Sequence, residues 1–241
     1  MTKILLVAAT FREVKFLEKL KLVPAENSQH YFHFQLSGTC IHLLITGVGM
    51  IATTFQLTKH LAKNNYDIVF NIGIAGAFEK TISLGEVVEV NFDCFAELGA
   101  VDDDKFISVF ELGLIDKNDF PFKNCILKND LQLNLLNLYK KARGITVNKV
   151  NGNENEIKKL KIMLAQNNYH PDVESMEGAA FFYTCFQYKT PCVQLRSISN
   201  YIEKRDKSSW KIKEALENLE EATLMVLNKI AENKTNNLPG V

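Results

Sequence analysis

Ile68-Val69-Phe70-Asn71-Ile72 runs straight into Gly73-Ile74-Ala75-Gly76-Ala77. A short apolar run that ends in two glycines reads as a strand followed by a tight turn. Such a turn lets the backbone come close to a ligand. Working outward, similar short runs predict strands at Ile4–Ala8, Tyr31–Leu36, Ile41–Ile45, Glu86–Asn91, Thr146–Val150 and Cys192–Ser197. Gly38-Thr39 marks a tight hairpin between the second and third of the chain's strands. Between the strands lie helical patterns: one led in by Gly49, one over Ile157–Gln166 and one over Gly178–Tyr188. The last helix has Ser208 or Ser209 as its cap. Its apolar stripe is Ile212, Ala215, Leu216, Leu219, Ala222, Val226 and Ile230. Strands alternating with helices predict an α/β fold.

Composition narrows the function. The 241 residues are 46% hydrophobic, enough for one sizeable core, and no linker-like stretch divides them. One domain over residues 1–231 is expected, followed by a disordered tail at 232–241. Lys plus Arg equals Asp plus Glu at 28 each, so the basic excess of a nucleic-acid binder is missing. The five cysteines are scattered and form no C-x-x-C pair, which fits a reducing compartment and a cytoplasmic protein. No metal cluster is expected. The apolar start Ile4–Ala8 is short and is followed at once by Arg12-Glu13, so it reads as a first strand rather than a leader. No run is long enough to span a bilayer.

Four segments carry chemistry. Thr46-Gly47-Val48-Gly49-Met50 and Asn71–Ala77 are glycine-rich turns after strands. Either can be no more than a strand-to-helix turn, and the first lacks the third glycine of a dinucleotide site. Val173-Glu174-Ser175-Met176-Glu177-Gly178-Ala179-Ala180 puts two carboxylates at the entry to a helix, where dipole compensation alone would suit them. Leu195-Arg196-Ser197-Ile198-Ser199-Asn200-Tyr201 is a strand with a polar carboxyl end, where ligands of open sheets sit.

In order, Ala8-Ala9-Thr10-Phe11-Arg12-Glu13-Val14, Gly47-Val48-Gly49, Asn71–Gly76, Met176-Glu177-Gly178-Ala179 and Arg196-Ser197-Ile198-Ser199-Asn200 resemble the nucleoside phosphorylase superfamily, and within it the nucleosidases. The resemblance covers about residues 3 to 230. Val173–Phe182, Ile198–Tyr201 and Trp210 are more narrowly similar to the futalosine hydrolase family, which removes hypoxanthine from futalosine for menaquinone synthesis. The resemblance implies a three-layer α/β/α fold around a mixed, partly barrel-like sheet. It implies a homodimer or higher homo-oligomer, a small-molecule purine nucleoside as the partner, and no cofactor.

It also implies roles. Cleavage of an N-glycosidic bond passes through a ribosyl oxocarbenium, so the site needs an anion near the sugar, a partner for N7 and an activated water. Glu13 matches the residue that holds the attacking water, and Glu177 the carboxylate on the ribose hydroxyls. Asn200 matches the base-recognition residue. Ile74, Ala75, Gly76, Met176, Ser199 and Trp210 match the binding wall. Asn200 stands where adenine-specific nucleosidases carry Asp. An amide can accept from a protonated N7 and donate to a 6-oxo group, which favours hypoxanthine or guanine over methylthioadenosine. Ile74 replaces a serine frequent in those enzymes. Residues 151–156 lack their stacking aromatic, leaving Trp210 or an aromatic of 92–122 to stack on the base. Glu174 has no assigned role. Glu13 stands where a phosphate-binding arginine of a phosphorylase is expected, which favours water, although Arg12 keeps phosphorolysis open. Three further functions stay open at this point: an adenine-type nucleosidase, a purine-binding module without catalysis and a dinucleotide-binding oxidoreductase.

Overall fold

The strand that begins at Ile68 does not stop at its glycines. It continues to Ala77 and becomes the axis on which the other strands are hung. The computed structural model describes residues 2–24, 29–103 and 105–232. Its strands are β1 (Ile4–Ala8), β2 (Val23–Pro24), β3 (Tyr31–Leu36), β4 (Thr39–Ile45), β5 (Ile68–Ala77), β6 (Val87–Asp93), β7 (Gly99–Asp102), β8 (Lys105–Ser108), β9 (Leu127–Lys128), β10 (Lys140–Thr146), β11 (Val173–Ser175) and β12 (Cys192–Tyr201). The helices are α1 (Met50–Leu61), α2 (Glu154–Gln166), α3 (Gly178–Gln187) and α4 (Ile212–Glu232).

The main sheet runs β11-β10-β6-β12-β5-β1-β4-β3-β2, with β9 on β6. It is mixed: β5 is parallel to β1 and β12, whereas β12 is antiparallel to β6. The far end of β5 also pairs antiparallel with β11, Gly76 opposite Glu174 and Ala77 opposite Val173. That pairing closes β5, β12, β6, β10 and β11 into a ring, the expected barrel-like part. The layers follow from strand alternation. Ile4, Leu6 and Ala8 of β1 pack with Leu219, Ala222 and Val226 of α4. Leu5 and Val7 point the other way, into a core shared with Leu57 of α1 and Phe181 and Phe182 of α3. Helices therefore cover both faces, as the three-layer expectation has it.

Three local expectations are corrected. The strand placed at Thr146–Val150 lies at Lys140–Thr146 instead. Its polar residues are satisfied sideways: Lys141 pairs with the buried Glu89, and the Arg143 guanidinium lies over the rings of Phe92 and Tyr169 at 5.7 and 5.0 Å. Ser208 and Ser209 do not cap the last helix. They sit in a separate 3-10 turn whose cap is Asp206, which accepts from the Ser208 amide at 2.9 Å. The glycine turn at 73–77 is strand. The hairpin at Gly38 holds, with Ser37 and Gly38 both at positive φ, 48° and 70°. All five cysteines are free. The tail expected at 232–241 lies, from residue 233 onward, outside the described residues. Among those described, no helix is long and apolar enough to cross a membrane.

Away from the ring, four side chains form a polar cluster between the outer strands and α1. His60 Nε2 meets the Tyr66 hydroxyl at 2.7 Å, that hydroxyl lies 3.3 Å from His42 Nδ1, and Tyr31 bonds His42 as well. Burial, then His42 and Lys3, pushes the pKa of His60 down to about 4. The unfolded chain takes up this proton near the ordinary value of about 6.5. The cluster is therefore fully stabilising above that pH, and its contribution falls as the pH drops toward 4. Between pH 7 and 5, wild type should lose about 1 kcal/mol more stability than His60→Gln, after allowing for solvent screening. Thermal melts of both proteins check this, and equal losses would refute it.

Candidate active site

The carboxyl ends of β1, β5, β11 and β12 meet around a cavity of about 410 Å3, a size suited to a small organic ligand. All nine residues singled out in the sequence line it. Glu13, Glu177 and Asn200 are there, with Ile74, Ala75 and Gly76 from β5, and Met176, Ser199 and Trp210. So are Arg12, Asn151, Glu174, Tyr201 and Arg205, to which the sequence gave no settled place.

Glu13 follows β1 in the first turn of a 3-10 segment, Phe11–Leu20, kinked at Val14. One carboxylate oxygen accepts from the Thr10 amide at 2.9 Å and hydroxyl at 3.3 Å, and the other from the Ile74 amide at 3.3 Å. Glu13 thus steadies the start of its own helix and is also pinned to β5 in the cavity wall. Burial raises its pKa above the usual carboxylate value. Arg196 opposes this, Glu177 adds to it, and the Thr10 and Ile74 amides partly offset it. A carboxylate held less acidic than usual is a better proton acceptor.

Glu177 occupies the cap position of α3, yet its side chain makes no capping bond there. It reaches across to accept from the Gly49 amide, 2.9 Å away at the start of α1. Helix capping of α3 therefore does not account for this residue. Gly47 and Gly49, with φ of 89° and 90°, have a backbone that other residues rarely adopt, and this turn is what aims the Gly49 amide at Glu177.

Arg196 was not singled out in the sequence. It stands opposite Gly73 in the β5–β12 pairing and is only 2% exposed. A Cβ at Gly73 would lie 2.6 Å from Arg196 Nη1 and 2.7 Å from Glu13 Oε1, so the missing side chain makes room for both charges. Burial lowers the pKa of Arg196, while Glu177, Glu13 and Asp93 counter that shift. An arginine between Leu195 and the Ser197-Ile198 step of a core strand was the available signal, since a buried guanidinium needs carboxylate partners.

A register shift after Ile198 re-aims the end of β12. Asn200 Oδ1 accepts from Ser199 Oγ at 2.8 Å and Nδ2 donates to the Tyr201 carbonyl at 3.0 Å. One amide hydrogen and one lone pair remain for a ligand. Gly76 permits this closeness, because a Cβ there would be 3.2 Å from Asn200 Nδ2. Glu174 accepts from the amide and side chain of Asn151 at 3.1 and 2.5 Å, which ties the 151 loop to β11. Phe95, Phe110 and Phe122 pack together beside Tyr183 and do not line the cavity. Trp210 does, with the Arg205 guanidinium 5.5 Å from its ring centre. Among the described residues, no group of three or more His, Cys, Asp or Glu is placed to hold a metal.

A family model described as the Phosphorylase superfamily matches residues 3–232. The chain belongs to the phosphorylase superfamily. Within it, futalosine hydrolase of Thermus thermophilus is 31% identical over 80% of this chain and 83% of that protein. The 5'-methylthioadenosine/S-adenosylhomocysteine nucleosidase of Colwellia psychrerythraea is 25% identical over 81% of this chain and 82% of its own. The nucleosidase of the same kind from Neisseria meningitidis, solved with methylthio-immucillin-A, superposes with a TM-score of 0.77 at 16% identity. It covers 95% of this chain and 100% of that structure, a likeness of fold.

Glu177→Gln keeps the size of the side chain and can keep the Gly49 contact, but removes a charge from the cavity. If that charge stabilises a cationic sugar, turnover should fall by about 100-fold or more with an unchanged melting temperature. Steady-state assays beside thermal melts decide it. Near wild-type turnover would leave Glu177 a purely structural role.

Proposed function

We propose that this protein hydrolyses the N-glycosidic bond of a 6-oxopurine nucleoside, with futalosine as substrate and hypoxanthine as the released base. The observation that carries the reading is the pairing of two cavity carboxylates, Glu13 and Glu177, about the buried Arg196. In the proposed reaction Glu13 takes a proton from water as the water oxygen bonds to C1′ of the ribose. The C1′–N9 bond breaks, and its electron pair leaves with the purine, which takes up a proton at N7 from solvent. Glu177 binds the ribose hydroxyls and offsets the positive charge that develops on the sugar. The spare lone pair and N–H of Asn200 suit a protonated N7 and a 6-oxo group, while Met176 and Trp210 supply apolar surface. Ile74, Ala75, Gly76 and Ser199 complete the wall.

On this reading the protein works in menaquinone synthesis in the cytoplasm, as one catalytic unit over 1–231 that needs no metal or cofactor. It acts as a homodimer or higher homo-oligomer: Val48, Ile51 and Phe55 of the α1 region are 58%, 84% and 61% exposed, an apolar face suited to a second copy. Phosphorolysis is the second reading, favoured only by Arg12 at the cavity edge. A carboxylate at Glu13 would repel the phosphate dianion that such a reaction needs.

The test is incubation with futalosine, inosine, methylthioadenosine and adenosine, without phosphate or metal, and chromatography of the released bases. Hypoxanthine from futalosine should appear fastest. Faster adenine release from methylthioadenosine, or a strict need for phosphate, would overturn the proposal.

A further inference from the structure

Behind the cavity wall lies a carboxylate that does not line it. Asp93, at the end of β6, is 1% exposed. Its Oδ1 accepts from Thr146 Oγ1 and from the Cys94 amide, both at 2.9 Å, and its Oδ2 accepts from Gln194 Nε2 at 3.2 Å. Two glycines make room for it: a Cβ at Gly178 would be 2.2 Å from Oδ2, and one at Gly144 2.9 Å. Thr146 Oγ1 in turn accepts from the Ala179 amide at 2.7 Å, in the first turn of α3, two residues past Glu177. On its other side Asp93 acts on Arg196, the cation that also attracts Glu13 and Glu177.

Packing does not require that charge. With the Gln194 amide turned, a neutral amide of the same shape would satisfy this network, without the several kcal/mol that burying a carboxylate typically costs. We propose that Asp93 is a positioning residue for the reaction in the cavity. Its carboxylate anchors the start of α3 and so places Glu177. Its charge offsets part of the field of Arg196, so that Glu13 remains basic enough to take a proton. The inference rests on the roles proposed above for Glu13 and Glu177.

The surroundings support an ionised Asp93 near neutral pH. Around it stand Arg196 and Gln194 from β12, Thr146 from β10, Gly178 from α3, Cys94 just past its own strand, and the phenol of Tyr169 beyond α2. Burial raises its pKa to about 6, against the pull of Thr146, Gln194, Arg196 and the Cys94 amide. Asp93 in turn helps push up the Tyr169 phenol and the Cys94 thiol. An ionised Asp93 subtracts from the positive potential that Arg196 sets up at Glu13. Removing the charge should therefore let Glu13 ionise at lower pH.

Asp93→Asn tests this. Gln194 Oε1 has no partner, so turning that amide lets it accept from the new N–H and preserves the hydrogen bonds. The melting temperature should stay within a few degrees of wild type. The titration midpoint of the Glu13 carboxyl, followed by carbon-13 NMR, should drop by about half a pH unit or more. With whichever nucleoside the wild type cleaves, kcat should fall about twofold or more, in step with the lost basicity of Glu13, while KM stays unchanged. The NMR measurement needs no substrate, so it still reports if the substrate proposal fails. An unmoved midpoint or an unchanged kcat overturns the inference. Should Asp93→Asn fail to fold, Thr146→Val keeps the Asp93 side chain but removes its Thr146 hydrogen bond and breaks the link to Ala179. A lower kcat with KM retained is then expected, and an unchanged kcat overturns the inference.

Discussion

A single buried cation organises this site. Arg196 sits in the middle of β12 at 2% exposure, where an unpaired guanidinium would be too costly to keep. Three carboxylates answer it: Glu13 after β1, Asp93 at the end of β6 and Glu177 before α3. None of the three is near another in sequence. The sheet brings them together, and the charge balance holds only if β1, β6, β12 and the start of α3 keep their relative places. One positive charge among three acids also leaves a negative environment. That suits a developing sugar cation better than it suits an anion such as phosphate.

Glycines make the arrangement possible. Gly73 gives Arg196 and Glu13 room to lie over β5, and Gly178 lets α3 settle onto Asp93. Gly76 sits where β5 meets β11 and closes the ring, and it also admits the Asn200 amide. Closure of the ring and the shape of the cavity thus depend on the same stretch of chain. A side chain at Gly73 or Gly178 would run into the charged groups, and one at Gly76 into Ile202 and the Asn200 amide.

Much of this was legible in the sequence, because period and punctuation are local. Short apolar runs located β1, β3, β4 and β12, and the apolar stripe of α4 was plain. The ordered motifs pointed to residues that all line one cavity. Other features were hidden for physical reasons. β10 was placed too late in the chain, at Thr146–Val150, since Lys141 and Arg143 find their partners only after folding, on Glu89, Phe92 and Tyr169. β5 looked as if it ended at Gly73, since nothing local shows that β12 and β11 will flank it. Arg196, read only as part of its motif, and Asp93 received no role because their meaning lies in long-range pairing. Asp93 ends a strand, where an acid is ordinarily a turn residue.

Everything in the proposed chemistry turns on Glu13, shielded from solvent and balanced by Arg196, as the group that takes the proton from water. Glu13→Gln keeps the length of the side chain and can still accept from the Thr10 amide, but it cannot accept that proton. The decisive measurement pairs calorimetric titration of the nucleoside with the rate of base release in this variant. Binding should stay within a few-fold of wild type, and turnover should be lower by about 100 to 10,000-fold. Turnover within a few-fold of wild type would contradict this role and reduce Glu13 to a helix-start residue.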